Sequence, residues 1–498
     1  MTVMQSSRSS STQRTKLDEK QDENVVDVDG HEGQSDENND EEKAVATRPS
    51  PVEPNGLQDP YLVHWQENDP ANPRNWKPFY KAFLTFQLGM LAFAGSLGSS
   101  IILPAESLIA EEFNVSREVT VLCISLYVLG FALGPCLWAP LSEVHGRKVS
   151  ILPAVFVLGL FSVGTGTSQS AASVFVTRFF SGVFGSAPIS NVAAALGDMY
   201  EPGARGTAVT FYAVAVVGGP TIGPVVGAAL AVNPNLGWRW TEYVEAMWVA
   251  VVLVFALIFM PEVYPPVLLK RRARQLRRET GDDRYWHPHE SQTITLNNIV
   301  TKYLARPLRM LLTEPMVTCL ACYASFVYGV LYMTLPMFDI VYSDLRQWGP
   351  VAASLPFLGL MVGVVGAVFI NLANQPRYKR AVANNKGRAV PEARLTPMVF
   401  GGVLFVIGIF WQVYILASCN SPEANIQPRF GWTADPNFHW AIPTVATCFI
   451  GAGFNVVFQQ CLNYLVDTYG LYAASATSAN TILRSFMAAG LPLAVKPM

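Results

Sequence analysis

Long apolar stretches separated by short polar connections make up most of this chain of 498 residues. A transmembrane helix needs about 20 mostly apolar residues, and eleven stretches meet that need. The pattern therefore predicts an all-α membrane protein with six spans, a polar interval and five further spans. The predicted spans are 79–103, 119–141, 149–168, 172–197, 207–232, 241–261, 311–338, 350–374, 397–419, 440–466 and 471–495.

The polar intervals divide the chain into four parts. Residues 1–77 are rich in Ser, Asp, Glu, Asn and Gln and too highly charged to fold alone, so we expect a disordered acidic tail. Residues 78–262 should form a bundle of six helices, 263–310 a basic loop, and 311–498 a second bundle of five helices. The composition agrees, because 51% hydrophobic and 14% charged residues are typical of membrane proteins.

Lysine and arginine are distributed unevenly among the connections. A cytoplasmic N-terminus places Arg147, Lys148, the run 270–278 and the cluster 377–394 on the cytoplasmic side, which is the side where short loops collect positive charge. We therefore expect a cytoplasmic tail and a multi-pass protein of the plasma membrane, in contact with the lipid bilayer. Asn114 begins a glycosylation sequon on the outer side, although its loop is short and close to the membrane.

A short charged turn joins the second and third spans. It reads Leu137-Trp-Ala-Pro-Leu-Ser-Glu-Val-His-Gly-Arg-Lys148 and contains Glu143, Gly146 and Arg147. One interpretation is a topology signal only, because Arg147 and Lys148 mark their side of the membrane. The other interpretation is a charge latch, formed by these four residues, that holds one conformation of a moving transporter.

Several polar and aromatic side chains lie in the middle of the apolar stretches. Transporters bind their substrates near the bilayer midplane, and aromatic walls with a few polar groups suit a bulky, mainly apolar molecule. A single amide in a span also commonly just bonds a neighbouring helix, so both interpretations stay open. The candidate cavity residues are Gln87, Asn191, Tyr328, Tyr332, Asn455, Gln459, Asn480 and Arg484.

The marks of a soluble enzyme are missing from the sequence. It has no Ser-His-Asp set, no paired carboxylates at a workable spacing and no phosphate-binding glycine loop that ends in lysine. We therefore expect no catalytic residues, no metal site, no cofactor and no nucleic-acid partner, and we expect a monomer. An intramembrane enzyme remains a remote alternative.

Six spans, a basic loop and a second set of spans resemble the major facilitator superfamily. The turn at 140–148 is similar to the signature loop between its helices 2 and 3, where a glycine, an aspartate and a basic residue precede a glycine and two basic residues. Ala139 stands here for the first glycine, Glu143 for the aspartate and Val144 for the first cation. The resemblance implies two helical bundles and a latch that has lost one partner.

Two further motifs resemble the antiporter branch of that superfamily. Arg178 in the fourth span is similar to an arginine linked to proton coupling, although an arginine close to a span end can also snorkel to the interface. The carboxylate that would carry the proton stays open among Glu106, Asp198, Glu242 and Glu245. A glycine-proline motif, or alternatively a plain close-packing face, is formed by Gly218, Gly219, Pro220, Gly223, Pro224 and Gly227.

The segments 69–76, 261–269, 325–332 and 394–397 resemble fungal drug:proton antiporters of the type with twelve spans. This resemblance implies proton-coupled efflux of small hydrophobic drugs, fungal toxins or secondary metabolites by alternating access. The proton gradient would supply the energy, and protons and a small hydrophobic substrate would be the partners. A polyamine:proton antiporter is the alternative.

Members of that family continue into a twelfth helix, whereas this sequence ends at Met498. We therefore expect a chain truncated before its last helix, with an outline of eleven spans and low stability. An inactive truncated paralogue is a further alternative.

Overall fold

The computed structural model describes residues 59–291, 305–338, 341–343, 346–385, 390–412, 439–469 and 473–494. Residues 1–58 of the expected acidic tail and residues 292–304 of the expected basic loop lie outside this part of the chain. The chain divides after Pro60 into two units, and the fold described below is that of the unit that begins at Tyr61.

The first half of this unit consists of six long helices and two short ones. A 3-10 turn at Leu103–Ala105 connects the first long helix to the first short one. The helices are α1 (Pro78–Leu97), α2 (Glu106–Phe113), α3 (Arg117–Thr120), α4 (Leu122–His145), α5 (Arg147–Gly166), α6 (Ala171–Met199), α7 (Pro202–Ala231) and α8 (Arg239–Phe259).

The connection between the halves contains a basic helix, α9 (Pro265–Thr280). Residues 61–76, which we expected to belong to the disordered tail, instead pack on it. Val63 lies in a small apolar cluster with Leu269 and Ala273, and its backbone N–H donates to the carbonyl of Trp286 at 3.1 Å. This packing orders the chain immediately before the first span.

The described part of the second half contains five long helices and two short ones. One short helix is amphipathic and begins this half, and the other directly precedes the second long helix. The last long helix is followed by a 3-10 turn at Leu491–Ala494. The helices are α10 (Arg306–Thr313), α11 (Pro315–Phe338), α12 (Pro350–Ser354), α13 (Phe357–Asn384), α14 (Leu395–Gln412), α15 (Ala441–Tyr469) and α16 (Ala473–Gly490).

Nine helices in the described part of the chain are long and apolar enough to cross a membrane. The other two predicted spans are α1 and α16, which are interrupted by polar residues such as Gln87 and Arg484. The lipid-facing character of the outer surface is visible on α8, where Phe255 and Ile258 are 55% and 66% exposed. The all-α membrane fold predicted from the sequence is thereby confirmed.

Three predicted spans are shortened or broken in the structure, and proline or glycine explains two of these differences. The helix of span 79–103 ends at Leu97, where the Gly98-Ser-Ser turn begins. Span 311–338 is divided at Glu314, whose backbone is extended, because a residue before proline disfavours the helical region. Span 350–374 is broken between Ser354 and Phe357 and then runs on to Asn384, ten residues beyond the expected end.

Close backbone contacts hold the first half together. Helix α6 packs on α4 and α5, and α1 packs on α7. A Cβ atom on Gly182 of α6 would lie 2.0 Å from the carbonyl oxygen of Tyr127 on α4. Only a residue without a side chain permits this approach, in the manner of small-residue contacts between membrane helices.

The two halves meet along two pairs of helices. Helix α4 packs on α16, and α7 packs on α13. One of the apolar cores extends across this boundary, since it includes Ile124 and Val217 of the first half together with Tyr328 and Phe458 of the second. The interface between the halves is thus the natural place for a binding site.

Candidate functional site

The charged turn after α4 is built around Arg147. We call the end of the bundle at which this turn lies the latch end, and the opposite end the far end. The Arg147 side chain is nearly buried, and its Nε donates to Asp198 Oδ2 at 3.0 Å while its Nη1 donates to Ser142 Oγ at 2.7 Å. The ring of Tyr264 lies 4.6 Å from the guanidinium carbon. Burial raises the pKa of Tyr264 to about 12, so its phenol stays neutral beside this cation.

A second carboxylate, Glu262, caps the start of α5. Its oxygens accept the backbone N–H groups of Arg147 at 2.9 Å and Lys148 at 3.2 Å. They also accept those of Val263 and Tyr264, each at 3.0 Å. An anion at a helix N-terminus is stabilised by the free N–H groups and the helix dipole. Glu262 therefore ties the exit of α8 to the start of α5.

Gly146 has to be glycine for this arrangement to form. Its φ of 103° lies in the region that L-residues avoid. A Cβ atom there would lie 2.3 Å from Glu262 Oε2. The turn thus brings together Gly146 and Arg147 as anticipated, while Lys148 contributes its backbone N–H and Glu143 lies half-buried on the last turn of α4. The ionic partner of Arg147 is Asp198, which lies outside the four residues predicted for the latch.

A second arginine cluster lies inside the membrane-spanning part, toward the far end. Arg178 on α6 is fully buried, so the alternative of snorkelling to the interface is wrong. Its Nη2 donates to the carbonyl oxygen of Gly98 at 2.5 Å and its Nε to that of Cys123 at 3.2 Å. The guanidinium carbon lies 4.3 Å from the centre of the Tyr127 ring. The arginine thereby joins α6 to the ends of α1 and α4.

Two glutamates of α8 face this arginine. Glu242 Oε1 accepts from Arg178 Nη1 at 3.2 Å, and Glu245 Oε2 lies 4.0 Å from the same nitrogen. All three side chains are 0% exposed. Glu242 Oε2 and both oxygens of Glu245 receive no hydrogen bond from the described residues, and the nearby Ser162 donates to the carbonyl of Leu158 instead.

The charges of this cluster do not balance while both glutamates are ionised. One guanidinium then faces two carboxylates, which leaves a net charge of −1 where water is excluded. A buried charge without a partner is strongly unfavourable, so the neutral form of the cluster holds one proton on a carboxylate.

The glycines of α7 lie directly against the end of α1. A Cβ atom on Gly219 would lie 2.5 Å from the backbone nitrogen of Leu97, and one on Gly227 would lie 2.0 Å from the carbonyl oxygen of Ile101. Gly223 faces the Ser100 hydroxyl in the same way. Gly218 has more room, Pro224 is buried, and Pro220 lines the central cleft. The motif is therefore at least a close-packing face.

A small cleft lies between the halves. Pockets that hold drug-sized ligands are larger, about 300–1,000 Å³, so the halves are drawn together around it. All of its walls are apolar or aromatic. They are Val216, Val217, Pro220, Tyr328, Leu331, Tyr332, Phe454 and Phe458.

The sequence profile of the Major Facilitator Superfamily matches residues 88–492. The chain belongs to this superfamily. It is 39% identical over 433 residues to the efflux pump bik6 of Gibberella fujikuroi, an alignment that covers 87% of this chain and 85% of that one. It is 34% identical to the multidrug transporter FLU1 of Candida albicans, with 89% of this chain and 70% of that one covered.

Solved structures of the superfamily share the fold at low sequence identity. The human organic anion transporter MFSD10 matches with a TM-score of 0.57 and 16% identity, over 84% of this chain and 93% of that one. The xylose transporter XylE from E. coli, in a partially occluded inward-open conformation, matches with a TM-score of 0.55 and 14% identity, over 83% and 91%. The chain is a membrane transporter of the major facilitator fold and not an enzyme.

The candidate cavity residues separate into two groups. Tyr328 and Tyr332 line the cleft of this major facilitator protein, and Arg484 lies against one of its walls. Gln87 and Asn191 are placed inside the first half. The Gln87 amide donates to the carbonyl of Phe255 at 2.8 Å, and that of Asn191 to Ser150 Oγ at 3.1 Å. For these two amides the bonding to a neighbouring helix is the interpretation that the contacts favour.

The remaining amides lie on α15 and α16 of the second half. Gln459 crosses to the first half, where its Nε2 bonds Thr210 Oγ1 and lies 3.4 Å from the carbonyl of Gly206. Its own oxygen accepts from Asn371 Nδ2 at 2.6 Å. Asn455 and Asn480 are fully buried, and neither side-chain oxygen nor nitrogen has a hydrogen-bond partner among the described residues.

A cluster that sequence reasoning missed bridges the halves at the latch end. Asp467 at the end of α15 pairs with Arg205 of α7 at 2.8 Å and with Arg394 at 3.1 Å. The Tyr378 hydroxyl donates to the same carboxylate at 2.7 Å, and its ring lies 3.5 Å from the Arg394 guanidinium carbon. The signal available in the sequence was a single aspartate near the end of an otherwise uncharged span.

The two halves also touch at the far end. The Ser99 hydroxyl, just beyond α1, lies 3.2 Å from the Tyr332 hydroxyl of α11. Contacts at both ends agree with the small volume of the cleft. Asn114, the glycosylation candidate, is exposed and ends α2 with a φ of 50°.

Proposed function

We propose that this transporter is a proton-coupled efflux pump for small hydrophobic drugs or secondary metabolites that works by alternating access. The observation that carries the proposal is the buried cluster of Arg178, Glu242 and Glu245, in which three carboxylate oxygens receive no hydrogen bond from the part of the chain that the structure describes. The names of the relatives, an efflux pump and a multidrug transporter, support export.

The cluster has a short physical connection to the cleft. Arg178 holds the carbonyl of Gly98, and the next residue, Ser99, bonds the hydroxyl of Tyr332, which lines the cleft. Protonation of Glu242 or Glu245 removes one negative charge from the surroundings of Arg178. The arginine then shifts its hydrogen bonds toward the remaining carboxylate and the Gly98 carbonyl, so the far-end contact between the halves depends on the proton.

Opening of the cleft to either side requires one set of contacts between the halves to separate. At the latch end this set includes the ion pair of Arg205 with Asp467 and the bonds of Gln459. At the far end it includes the pair Ser99 and Tyr332. Alternating access follows if only one end is released at a time.

A hydrophobic substrate is favoured over a polyamine by the walls of the cleft. The eight residues that line it include no carboxylate to pair with an ammonium group. Aromatic and aliphatic walls suit a bulky apolar molecule. A purified transporter that moves spermine and no hydrophobic dye would favour the polyamine alternative.

We further propose a plasma-membrane location with a cytoplasmic N-terminus, and a monomer as the working unit. The lysine and arginine residues at the latch end support this topology. The proton gradient would be the energy source, with no resident cofactor.

The test of coupling is the substitution Glu245→Gln, which removes the ability to bind and release a proton at almost unchanged size. In proteoliposomes with an acidic interior, we expect the wild type to accumulate rhodamine 123 against its gradient. The variant should lose this accumulation by about tenfold or more, because an amide cannot bind a proton on one side and release it on the other. Each factor of ten in the dye concentration ratio needs about 1.4 kcal/mol, which the proton gradient then no longer supplies. The variant should still exchange the dye at equal concentrations on both sides.

Glu112→Gln is the matched control, because Glu112 also pairs with an arginine but lies 37% exposed at the far end. Hydrogen bonding to Arg239 lowers the pKa of Glu112, so it stays ionised at physiological pH and should not exchange protons. Uphill accumulation by Glu245→Gln at the wild-type level would disprove the coupling role.

A further inference from the structure

The side chain of Arg484 lies between aromatic rings at the edge of the central cleft. Its guanidinium carbon is 4.7 Å from the centre of the Phe458 ring and 5.1 Å from that of Tyr328. Both rings line the cleft. Arg484 is 5% exposed, so this cation is nearly removed from solvent beside the space that a substrate would fill.

This arginine lacks the partners that the other deeply buried arginines have. Its Nε and Nη1 have no hydrogen-bond acceptor, and no carboxylate lies within ion-pair distance among the residues that the structure describes. Arg178 and Arg394, in contrast, each face a carboxylate. Aromatic faces attract a cation but recover only part of its lost hydration. The site is therefore incomplete without a negatively charged or strongly accepting group.

Two amides extend the same polar surface. Asn480 precedes Arg484 by four residues on α16, so the two side chains share a helix face. Asn455 precedes Phe458 by three residues on α15 and shares a face with it. Both amides are fully buried with unbonded oxygen and nitrogen atoms. Together with the rings, they offer hydrogen-bond donors beside a flat aromatic surface.

We infer that Arg484 binds an acidic oxygen, a carboxylate or a phenolate, on a planar aromatic substrate that stacks against Tyr328 and Phe458. The inference rests on the proposed efflux function and narrows its substrate class. An acidic oxygen supplies the acceptor that Nε and Nη1 lack, and a bond of this kind to a charged group is among the stronger hydrogen bonds in proteins. An ammonium group would be repelled by the same guanidinium.

Two xanthene dyes of similar size test the charge preference. Fluorescein carries a carboxylate and a phenolate near neutral pH, whereas rhodamine 123 is a cation with a methylated carboxyl group. Binding is measured by fluorescence anisotropy on the purified full chain, and uphill transport in proteoliposomes. We expect wild-type protein to bind fluorescein more tightly than rhodamine 123.

Arg484→Gln should weaken fluorescein binding by about 10- to 100-fold and leave rhodamine 123 binding unchanged or tighter. Arg484→Lys keeps the charge but not the planar donors, so it should have an intermediate effect. The control is Arg309→Gln, an exposed arginine on α10, which should alter neither dye. Equal loss of both dyes in Arg484→Gln, or loss of neither, overturns the inference.

If Arg484→Gln does not yield folded protein, the ratio of the two dissociation constants in Arg484→Lys decides, and an unchanged ratio overturns the inference. The experiment also separates the inference from the proposed function. Wild-type protein that exports rhodamine 123 uphill but does not bind fluorescein keeps the efflux function and overturns the acidic-substrate inference. Wild-type protein that binds fluorescein with the expected dependence on Arg484, but moves neither dye uphill, keeps the acidic-substrate inference and overturns the efflux function.

Discussion

The first half contains two clusters in which one arginine is set beside two carboxylates, and they differ in how the carboxylates are bonded. At the latch end, Glu262 accepts four backbone N–H groups and Asp198 pairs with Arg147. In the membrane cluster, three of the four oxygens of Glu242 and Glu245 receive no hydrogen bond from the described residues. The residue types are alike, but the backbone supplies donors to only one cluster.

The difference shows how surroundings decide the role of an ionised group. Four backbone N–H groups from the start of α5 and the exit of α8 hold the Glu262 carboxylate in place, so the latch cluster fixes the position of α5 relative to α8. A carboxylate without donors in a dry site has no such support, and its charge is costly to bury. Under the proposed function, the latch cluster is structural and conformational, and the membrane cluster is the site that would exchange protons.

Removal of the arginine from the membrane cluster should have the largest effect. Breaking a buried ion pair costs about 3–5 kcal/mol, so Arg178→Ala should lower uphill transport by roughly a hundredfold or more, while dye binding at the cleft survives. Arg178→Lys should rescue transport only partly, because it lacks the planar donors that reach Gly98 and Cys123 together. Uphill accumulation in proteoliposomes by Arg178→Ala at the wild-type rate would contradict the coupling role.

The substitution Glu262→Gln tests the latch cluster with the same chemical change as Glu245→Gln. An amide is neutral and has only one accepting oxygen, so it cannot replace a carboxylate that accepts four N–H groups. We expect the loss of a charge-assisted bond to lower the free energy of unfolding by about 1.5–3 kcal/mol, seen as a lower melting temperature of the purified protein.

Glu245→Gln should not lower the melting temperature, because the Glu245 carboxylate receives no hydrogen bond from the residues that the structure describes. The two variants thus make a matched pair across the comparison. Equal melting temperatures for both variants would mean that the hydrogen bonds of Glu262 do not contribute to the free energy of unfolding.

Arg147→Ala should have a smaller effect than Arg178→Ala and Glu262→Gln. Its partner Asp198 keeps an 18% exposed side chain, so the carboxylate left behind can reach water and should cost less than the roughly 3–5 kcal/mol of a fully buried one. We expect roughly fivefold slower transport with little loss of protein from the membrane. Transport by the variant at the wild-type rate would support the interpretation of the turn as a topology signal only.

Much of the fold could be predicted because it is local in the sequence. The apolar run 149–168 corresponds to α5 and the run 172–197 to α6, each within two residues at both ends. The predicted limits of the spans were wrong where the backbone changes direction without a change in hydropathy, as between Ser354 and Phe357. Hydropathy reports burial in lipid, whereas a break between helices depends on proline and on the neighbouring helices.

For the candidate site, the sequence indicated the individual arginines but not the residues that pair with them. Arg147 and Arg178 stood out because a cation among apolar residues is rare. Their partners Glu262 and Glu245 are 115 and 67 positions further along the chain, and only the packing of α8 on α5 and of α6 on its neighbours brings them close. Hydropathy also could not distinguish Gln87, which bonds a neighbouring helix, from Arg484, which faces the cleft wall.

Asp467 has a consequence for how this protein can change over evolutionary time. Most ion pairs tolerate an exchange of the two charges, because the pair is restored with its signs reversed. The two carboxylate oxygens of Asp467 form ion pairs with Arg205 in the first half and with Arg394 in the second half. An exchange with Arg205 alone would set two arginines against each other inside the second half. The three positions are therefore expected to vary together or not at all. A substitution at this cluster in one half then requires a matching substitution in the other half.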